Sequence, residues 1–337
     1  MYDLNAQLPF GYRILIPVLC RPLVEWFSLP VRAAYFFFEA LSCIFVVIAL
    51  KKIFQIYLEE QHANVYALAI FLFLPFLYLF NFMWPLYYPY DTAAIAFIAW
   101  SIYLIIKERW VILVFVTALG TLNRETTLLI PLTFLALAGA RMEVKRAMSI
   151  FTCLITAYVA VRCAVSVLVA NNPTRYYGPV AFAFEKSWRA LNNLNWLLEI
   201  QNWFILLATT GFMLVLWLLL RSNIPRHLRR LHLVAFSHFS LLIFVGNLYE
   251  PRMFGEMFVI LYFPFCLGLN NYLTGKKVQT PRLLRKHETG VLAPLLKWLD
   301  KWGLLLLLIG IIIIVLILSR MTPEAILEVV MSRMGAV

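Results

Sequence analysis

The stretch from Trp110 to Ala140 is apolar in the main, but four consecutive polar residues interrupt its middle: Asn123, Arg124, Glu125 and Thr126. An arginine and a glutamate at membrane depth are costly, so they face a protein interior or a water-filled cavity and by default mark a functional site. The interruption also leaves two apolar halves, 110–122 and 126–140. At the rise of an α-helix these reach about 20 and 22 Å, each short of a hydrocarbon core of about 30 Å. Basic residues flank both ends, Lys107 and Arg109 before, Arg141, Lys145 and Arg146 after. The expectation is a hairpin of two short helices that returns to its own side, with its polar tip in or near the opposite leaflet.

The rest of the chain fits a helical protein in lipid. Of its 337 residues 63% are hydrophobic and 14% charged, and helices satisfy their own backbone where no water is at hand. The net charge of +12 is read as the basic bias of cytoplasmic loops rather than a nucleic-acid surface. Cys20, Cys43, Cys153, Cys163 and Cys266 are scattered, so neither a disulfide framework nor a zinc site is indicated. The five histidines lack metal-ligand spacing. No cleavable leader pattern is expected before the first apolar run. No internal repeat is evident, which weighs against a transporter built from two halves.

Apolar segments run over 33–50, 65–84, 91–106, the hairpin 110–140, 147–169, 201–220, 231–248, 254–273 and 302–320. These predict an all-α polytopic membrane protein of about ten transmembrane helices, in one domain over 1–320. With the hairpin returning to its own side, one set of loops collects most of the 29 Lys and Arg residues. It includes Lys51, Lys52, Lys107, Arg141, Arg226, Arg230, Lys276 and Lys297. The positive-inside rule makes that side cytoplasmic; a simple crossing at 110–140 would put the later basic loops outside. Residues 1–32 then form an external segment, whose stretch 11–27 suits an interfacial helix. The loop 171–199 is external, with Pro173, Gly178 and Pro179 expected to break any long helix at its start. Residues 274–301 are a basic cytoplasmic connector, read as a solvated, lipid-facing charge run, and 321–337 an external tail.

Four polar clusters converge on the external side: Gly11-Tyr12-Arg13, Tyr88-Pro89-Tyr90-Asp91, the tetrad Asn123–Thr126, and Asn247 to Arg252 followed by Glu256. Carboxylates suit base chemistry, and guanidinium groups suit phosphate. Each cluster also has a plain structural explanation. Asp91 caps the helix it opens. Arg124 and Glu125 form an ion pair that holds the hairpin. Glu250 and Arg252 are solvated in a turn, and Glu256 pairs with Arg252 at i, i+4. Arg162, deep in its segment, pairs with a carboxylate or snorkels outward. Trp84, Tyr87, Tyr88 and Tyr90 read as an interface belt in preference to a sugar-stacking platform.

The motifs "PFGYRILIPVL", "PYD" at a helix start, "LNRETTLLIPL" and "NLYEPRMFGEMFVILYFPF" together resemble those of bacterial membrane proteins of the GT-C glycosyltransferase type. The resemblance covers roughly residues 9–270 and is moderately specific in combination. It implies a GT-C-like multi-helix bundle in the bacterial inner membrane, a polyprenyl-phosphate-linked sugar donor, and transfer on the periplasmic face. The acceptor class stays open among glycan, lipid and protein. Members commonly use an acid in the first external loop. Here Asp3 is the only early acid: either Asp91 or Glu125 takes the role, or the chain is shortened, or it does not catalyse.

On this reading Asp91 is the base that deprotonates the acceptor hydroxyl, with Glu125 its rival. Arg124, Arg252 and Arg13 hold the departing phosphate, and Tyr12, Tyr90 and Glu250 orient sugar or acceptor, with Asn123 and Glu256 completing the binding set. No acidic cluster compels a metal; a divalent cation fits only if Asp91 and Glu125 approach each other. Membrane lipid is the surrounding partner. Two other classes remain: a non-catalytic GT-C-like scaffold subunit bound to a membrane-protein partner, and a lipid- or ion-translocating protein with the Arg–Glu pair as gate. Turnover, a stoichiometric partner or flux in liposomes tells the three apart.

Overall fold

In a computed structural model the described residues are 10–78, 88–172, 179–278, 293–303 and 309. They are helical, with no strand among them. A short 3-10 turn, Phe10–Tyr12, leads into α1 (Leu15–Glu25), α2 (Val31–Phe54), α3 (Glu60–Leu68) and α4 (Leu74–Tyr78). Then follow α5 (Asp91–Ile106), α6 (Trp110–Asn123), α7 (Leu129–Leu137) and α8 (Val144–Leu168). The C-terminal half holds α9 (Pro179–Leu198), α10 (Ile200–Thr209), α11 (Met213–Leu219), α12 (Arg226–Arg229), α13 (Leu231–Val245) and α14 (Gly255–Thr274).

Among the described residues four helical stretches are long and apolar enough to cross a membrane: Val31–Phe54, Val144–Leu168, Arg226–Val245 and Pro251–Thr274; a bent pair, Ile200–Ala208 with Met213–Leu219, would make a fifth. The hairpin and α5 are shorter apolar helices. Burial sorts the long ones. In α14, 89% of the spanning window is inside the protein, against 11% in α8. Helix α14 is therefore the central post, packed by α13, α5, α11 and α2, while α8 lies at the rim against α6. An apolar helix left uncovered on most of its surface is suited to lipid contact, because only there do exposed apolar side chains cost nothing.

Several local expectations change. The segment 65–84 is not one helix where it is described: α3 gives way to a 3-10 stretch, Ala69–Leu72, and α4 starts afresh at Leu74. Pro75 lacks the N–H that an uninterrupted helix would use there. The segment 201–220 is bent by 83°. The bend falls at Gly211 and Phe212, both left-handed (φ 59° and 55°). Glycine is required at the first of these for space as well as backbone, since a Cβ there would lie 2.6 Å from the Phe73 ring. The stretch 171–199, expected as a loop, contains α9. Pro179 opens this helix rather than breaking it, because the first helical turn needs no N–H from that residue and a φ near −65° suits it. The connector 274–301 is helical again from residue 293. The last apolar segment beyond 303 apart from residue 309, the tail 321–337, Trp84, Tyr87 and Asp3 lie outside the described residues.

The two short helices expected within 110–140 are present and fold back on each other, with the Trp110 and Phe134 rings 5.5 Å apart. Helix α6 ends at Asn123, a single extended residue follows (Arg124, φ −160°, ψ 144°), and a 3-10 turn, Glu125–Leu128, leads into α7. The tip folds tightly onto the end of the first arm because Gly120 carries no side chain: a Cβ would sit 3.0 Å from Thr127 Oγ1 in the turn and 3.2 Å from Phe97 of α5. Helix α1 has the amphipathic pattern of an interfacial helix, with Ile16, Pro17 and Cys20 buried and Trp26 and Phe27 exposed.

Candidate functional site

The helix breaks carry the charge. Four irregular points meet at one end of the bundle: the N-terminal segment at Arg13, the start of α5, the hairpin tip, and the 3-10 turn Pro251–Phe254 before α14. Each is anchored locally. The backbone N–H of Ile14 donates to Leu122 O at 2.9 Å, tying the N-terminal segment to the end of α6. Asn123 Nδ2 donates to Tyr90 O at 2.9 Å, tying the tip to the residue before α5. In α9, Asn193 Nδ2 donates to Ile243 O and Gly246 O, both at 2.8 Å, and its Oδ1 accepts from Leu248 N at 3.1 Å. It thereby fixes the chain that leads from α13 into the turn.

On this frame Arg124 is the hub. Its Nη1 lies 3.1 Å from Asp91 Oδ1 and 3.1 Å from Glu256 Oε1, and all three side chains are 1% exposed. Its Nη2 reaches the Met253 sulfur at 3.1 Å. Arg252 Nη1 takes the other Asp91 oxygen at 3.3 Å, and its Nη2 takes Glu250 Oε2 at 2.5 Å. Glu250 is steadied by Asn247 Nδ2, and Glu256 by the Thr126 hydroxyl at 2.5 Å. Beside this chain of ion pairs, Arg13 grips Glu125 with two N–H groups, Nη2 to Oε1 at 2.7 Å and Nε to Oε2 at 3.3 Å. Arg13 also donates from Nη1 to the Tyr90 hydroxyl at 2.7 Å. Burial works against the Arg13 charge, but Glu125 and Tyr90 outweigh it and hold the guanidinium above the ordinary arginine range.

Ten residues singled out from the sequence thus find their places. Asp91, Arg124, Arg252 and Glu256 are joined in the buried network, with Glu250 at its margin, and Asn123 stands beside it, bonded to the Tyr90 carbonyl. Arg13, Tyr90 and Glu125 form the adjoining pair-and-ring. Tyr12 stands next to them under a different arginine, with the Arg162 guanidinium 4.4 Å from its ring. The plain explanations fare variously. Asp91 is the first residue of α5, but its carboxylate turns to the arginines and makes no cap hydrogen bond. Arg124 and Glu125 do not pair with each other; the extended backbone at 124 sends them to separate partners. Glu256 pairs with Arg124 and not with Arg252 four positions before it, because Arg252 sits in the 3-10 turn ahead of α14. Tyr88 and Tyr90 are not on an outer belt: Tyr90 is fully buried, the two rings stack at 5.3 Å, and Arg252 lies 4.2 Å over Tyr88.

Met253, Thr126, Asn193 and Asn247 contribute contacts that the charged motifs did not announce. Thr126 stood inside the tetrad and Asn247 inside its own cluster, so both were within reach of sequence reasoning. Asn193 was hidden by the loop reading of its segment. Asp91 and Glu125 answer to separate arginines, and among the described residues no group of three or more His, Cys, Asp or Glu is arranged for a metal ion. Two network donors, Arg124 Nε and Arg252 Nε, are buried without a hydrogen-bond partner, as is Glu256 Oε2. Such atoms ask for water or a ligand.

No protein-family model, curated protein or solved structure matches this chain. Fold and site together give a helical protein with several helices long and apolar enough to span a membrane and a buried ionic network at one end of its bundle.

Proposed function

We propose that the chain is a GT-C-like glycosyltransferase of the bacterial inner membrane. It moves a sugar from a polyprenyl-phosphate-linked donor to an acceptor at the periplasmic face, within a bundle of about ten helices. The observation that carries the reading is the meeting of Arg13, Asp91, Arg124, Glu125, Arg252 and Glu256 where four chain breaks converge. Apolar helices do not collect so many charges at one end without use for them.

Geometry favours a division of labour between the two candidate carboxylates. Both Asp91 oxygens are engaged by arginines and the side chain is 1% exposed, whereas the Glu125 side chain is 36% exposed. Glu125 is therefore the base that an acceptor hydroxyl reaches, once Arg13 releases one of its oxygens. Asp91 is the positioning group that sets Arg124 and Arg252. Tyr12 and Tyr90 border the same place and orient the sugar.

A second reading has its own support. Arg13, Arg124 and Arg252 all have protein carboxylates as partners, so the network closes on itself, as a non-catalytic scaffold would require. The test is release of polyprenyl phosphate by the purified chain from a panel of polyprenyl-phospho-sugars. Glycosyl transfer predicts turnover that falls about 100-fold in Glu125→Gln, the usual scale for a general base. No turnover with any donor, alongside a stoichiometric membrane partner on purification, would move the assignment to the scaffold.

A further inference from the structure

Three of the arginines at this end of the bundle are held by carboxylates; the fourth is not. Arg162 lies in α8, two turns short of its end. Its guanidinium stacks on Tyr12 at 4.4 Å, and its Nη1 is buried with no hydrogen-bond partner. No ion pair is formed by Arg162 among the described residues. Next to it in the chain, Val161 and Val165 of α8 and Val169 just past its end pack with Ile14, Tyr12 and Leu122. Helix α8 also packs against both Phe10–Tyr12 and Glu125–Leu128, which sets Arg162 beside the hairpin tip. At that tip both Glu125 oxygens are already taken by Arg13.

A planar cation with an unused buried N–H, braced by a ring at the edge of an apolar cluster, is arranged for an anion from outside the chain. We propose that Arg162, steadied by Tyr12, is an anion-binding residue whose ligand is a phosphate group. The phosphate comes either from the head of a lipid lying against the uncovered face of α8 or from free phosphate. This deepens the donor-binding half of the proposed function and rests on the membrane reading, not on glycosyl transfer. It also shifts the phosphate contact away from Arg124 and Arg252, which the network already neutralises.

The experiment uses the full chain in maltoside micelles, whose detergent carries no phosphate, titrated with polyprenyl monophosphate, with the unphosphorylated polyprenol, and with inorganic phosphate. Binding is followed by intrinsic tryptophan fluorescence. Expected is saturable binding of a phosphate probe and none of the polyprenol. Binding of the lipid alone names the lipid head as source; equal binding of inorganic phosphate names the free ion. Arg162→Gln should weaken the bound probe about 10- to 100-fold, the loss of one or two charge-assisted hydrogen bonds, while Arg162→Lys retains much of it. If the wild type binds neither phosphate probe, or Arg162→Gln binds as the wild type does and only its melting temperature falls, the site is structural and the proposal is overturned. Should Arg162→Gln fail to fold, Tyr12→Leu replaces it, and unchanged affinity there overturns the proposal equally. Phosphate binding without sugar turnover would count against glycosyl transfer and leave this site standing.

Discussion

Removing the hub of the network should be costly, and the cost should be repairable at one position only. In Arg124→Gln, Asp91 keeps Arg252 at 3.3 Å, whereas Glu256 is left with the Thr126 hydroxyl alone and an Oε2 that has no partner even in the intact protein. A carboxylate that is 1% exposed and has lost its cation is the expensive case, at about 3–5 kcal/mol. Neutralising it as well removes most of that penalty, since a buried pair replaced as a pair is often harmless. The double variant Arg124→Gln with Glu256→Gln should therefore be no less stable than the worse single variant, with a coupling of about 2–3 kcal/mol. The same cycle run with Glu125→Gln should give a coupling below about 0.5 kcal/mol, because Glu125 answers to Arg13. Chemical unfolding in mixed micelles measures all five variants. Equal coupling of Arg124 to both glutamates, or singles within about 0.5 kcal/mol of the wild type, would refute the geometry on which this rests.

Further outcomes follow from other contacts. Asp91→Asn leaves Arg124 and Arg252 facing a neutral amide, so it should lose about 2–4 kcal/mol of stability as well as turnover; a fully stable but inactive variant would return the base role to Asp91. Asn193→Ala removes a donor shared by two carbonyls and the acceptor for Leu248 N, a loss of about 2–3 kcal/mol by unfolding measurements; a change under about 0.5 kcal/mol would show that α9 does not hold the turn. Gly120→Val should open the hairpin by pushing on Thr127 and Phe97 and cost about 1–3 kcal/mol, with wild-type stability as the contrary result. Single cysteines at 107 and 141, in a cysteine-free background, should both resist an impermeant thiol reagent in intact cells; labelling of only one would make 110–140 a simple crossing.

Much of this could be anticipated from pattern, and the reasons for the misses are specific. Long apolar runs announce α2, α8 and α14 because a chain in lipid has few other options. The break at Arg124 was legible because four adjacent polar residues cannot all hide on one helix face. Partner choice was not. Arg124 and Glu256 meet only through the packing of α14 beside α5 and the hairpin, and the pairing suggested by spacing, Arg252 with Glu256, fails because the helix begins after Arg252. Helix α9 was missed because Pro179 was weighed as a breaker without regard to its place in the first turn. The bend at Gly211 was missed because an unbroken apolar run says nothing about backbone handedness.

The reach of the hub across the chain bears on how the protein is made. Arg124 and Asp91 are 33 positions apart, whereas Thr126 and Glu256 are 130 apart. During synthesis, Arg124 therefore meets its first carboxylate soon after the hairpin emerges and waits for its second until α14 has been translated. Through that interval Arg124 and Asp91 have only each other, and each lacks the second partner it holds in the finished bundle. Arrival of the turn before α14 supplies Arg252 and Glu256 together, which makes insertion of that helix the step that locks the bundle. A chain halted before residue 251 should be assembled loosely enough for membrane quality control to distinguish it from the finished protein.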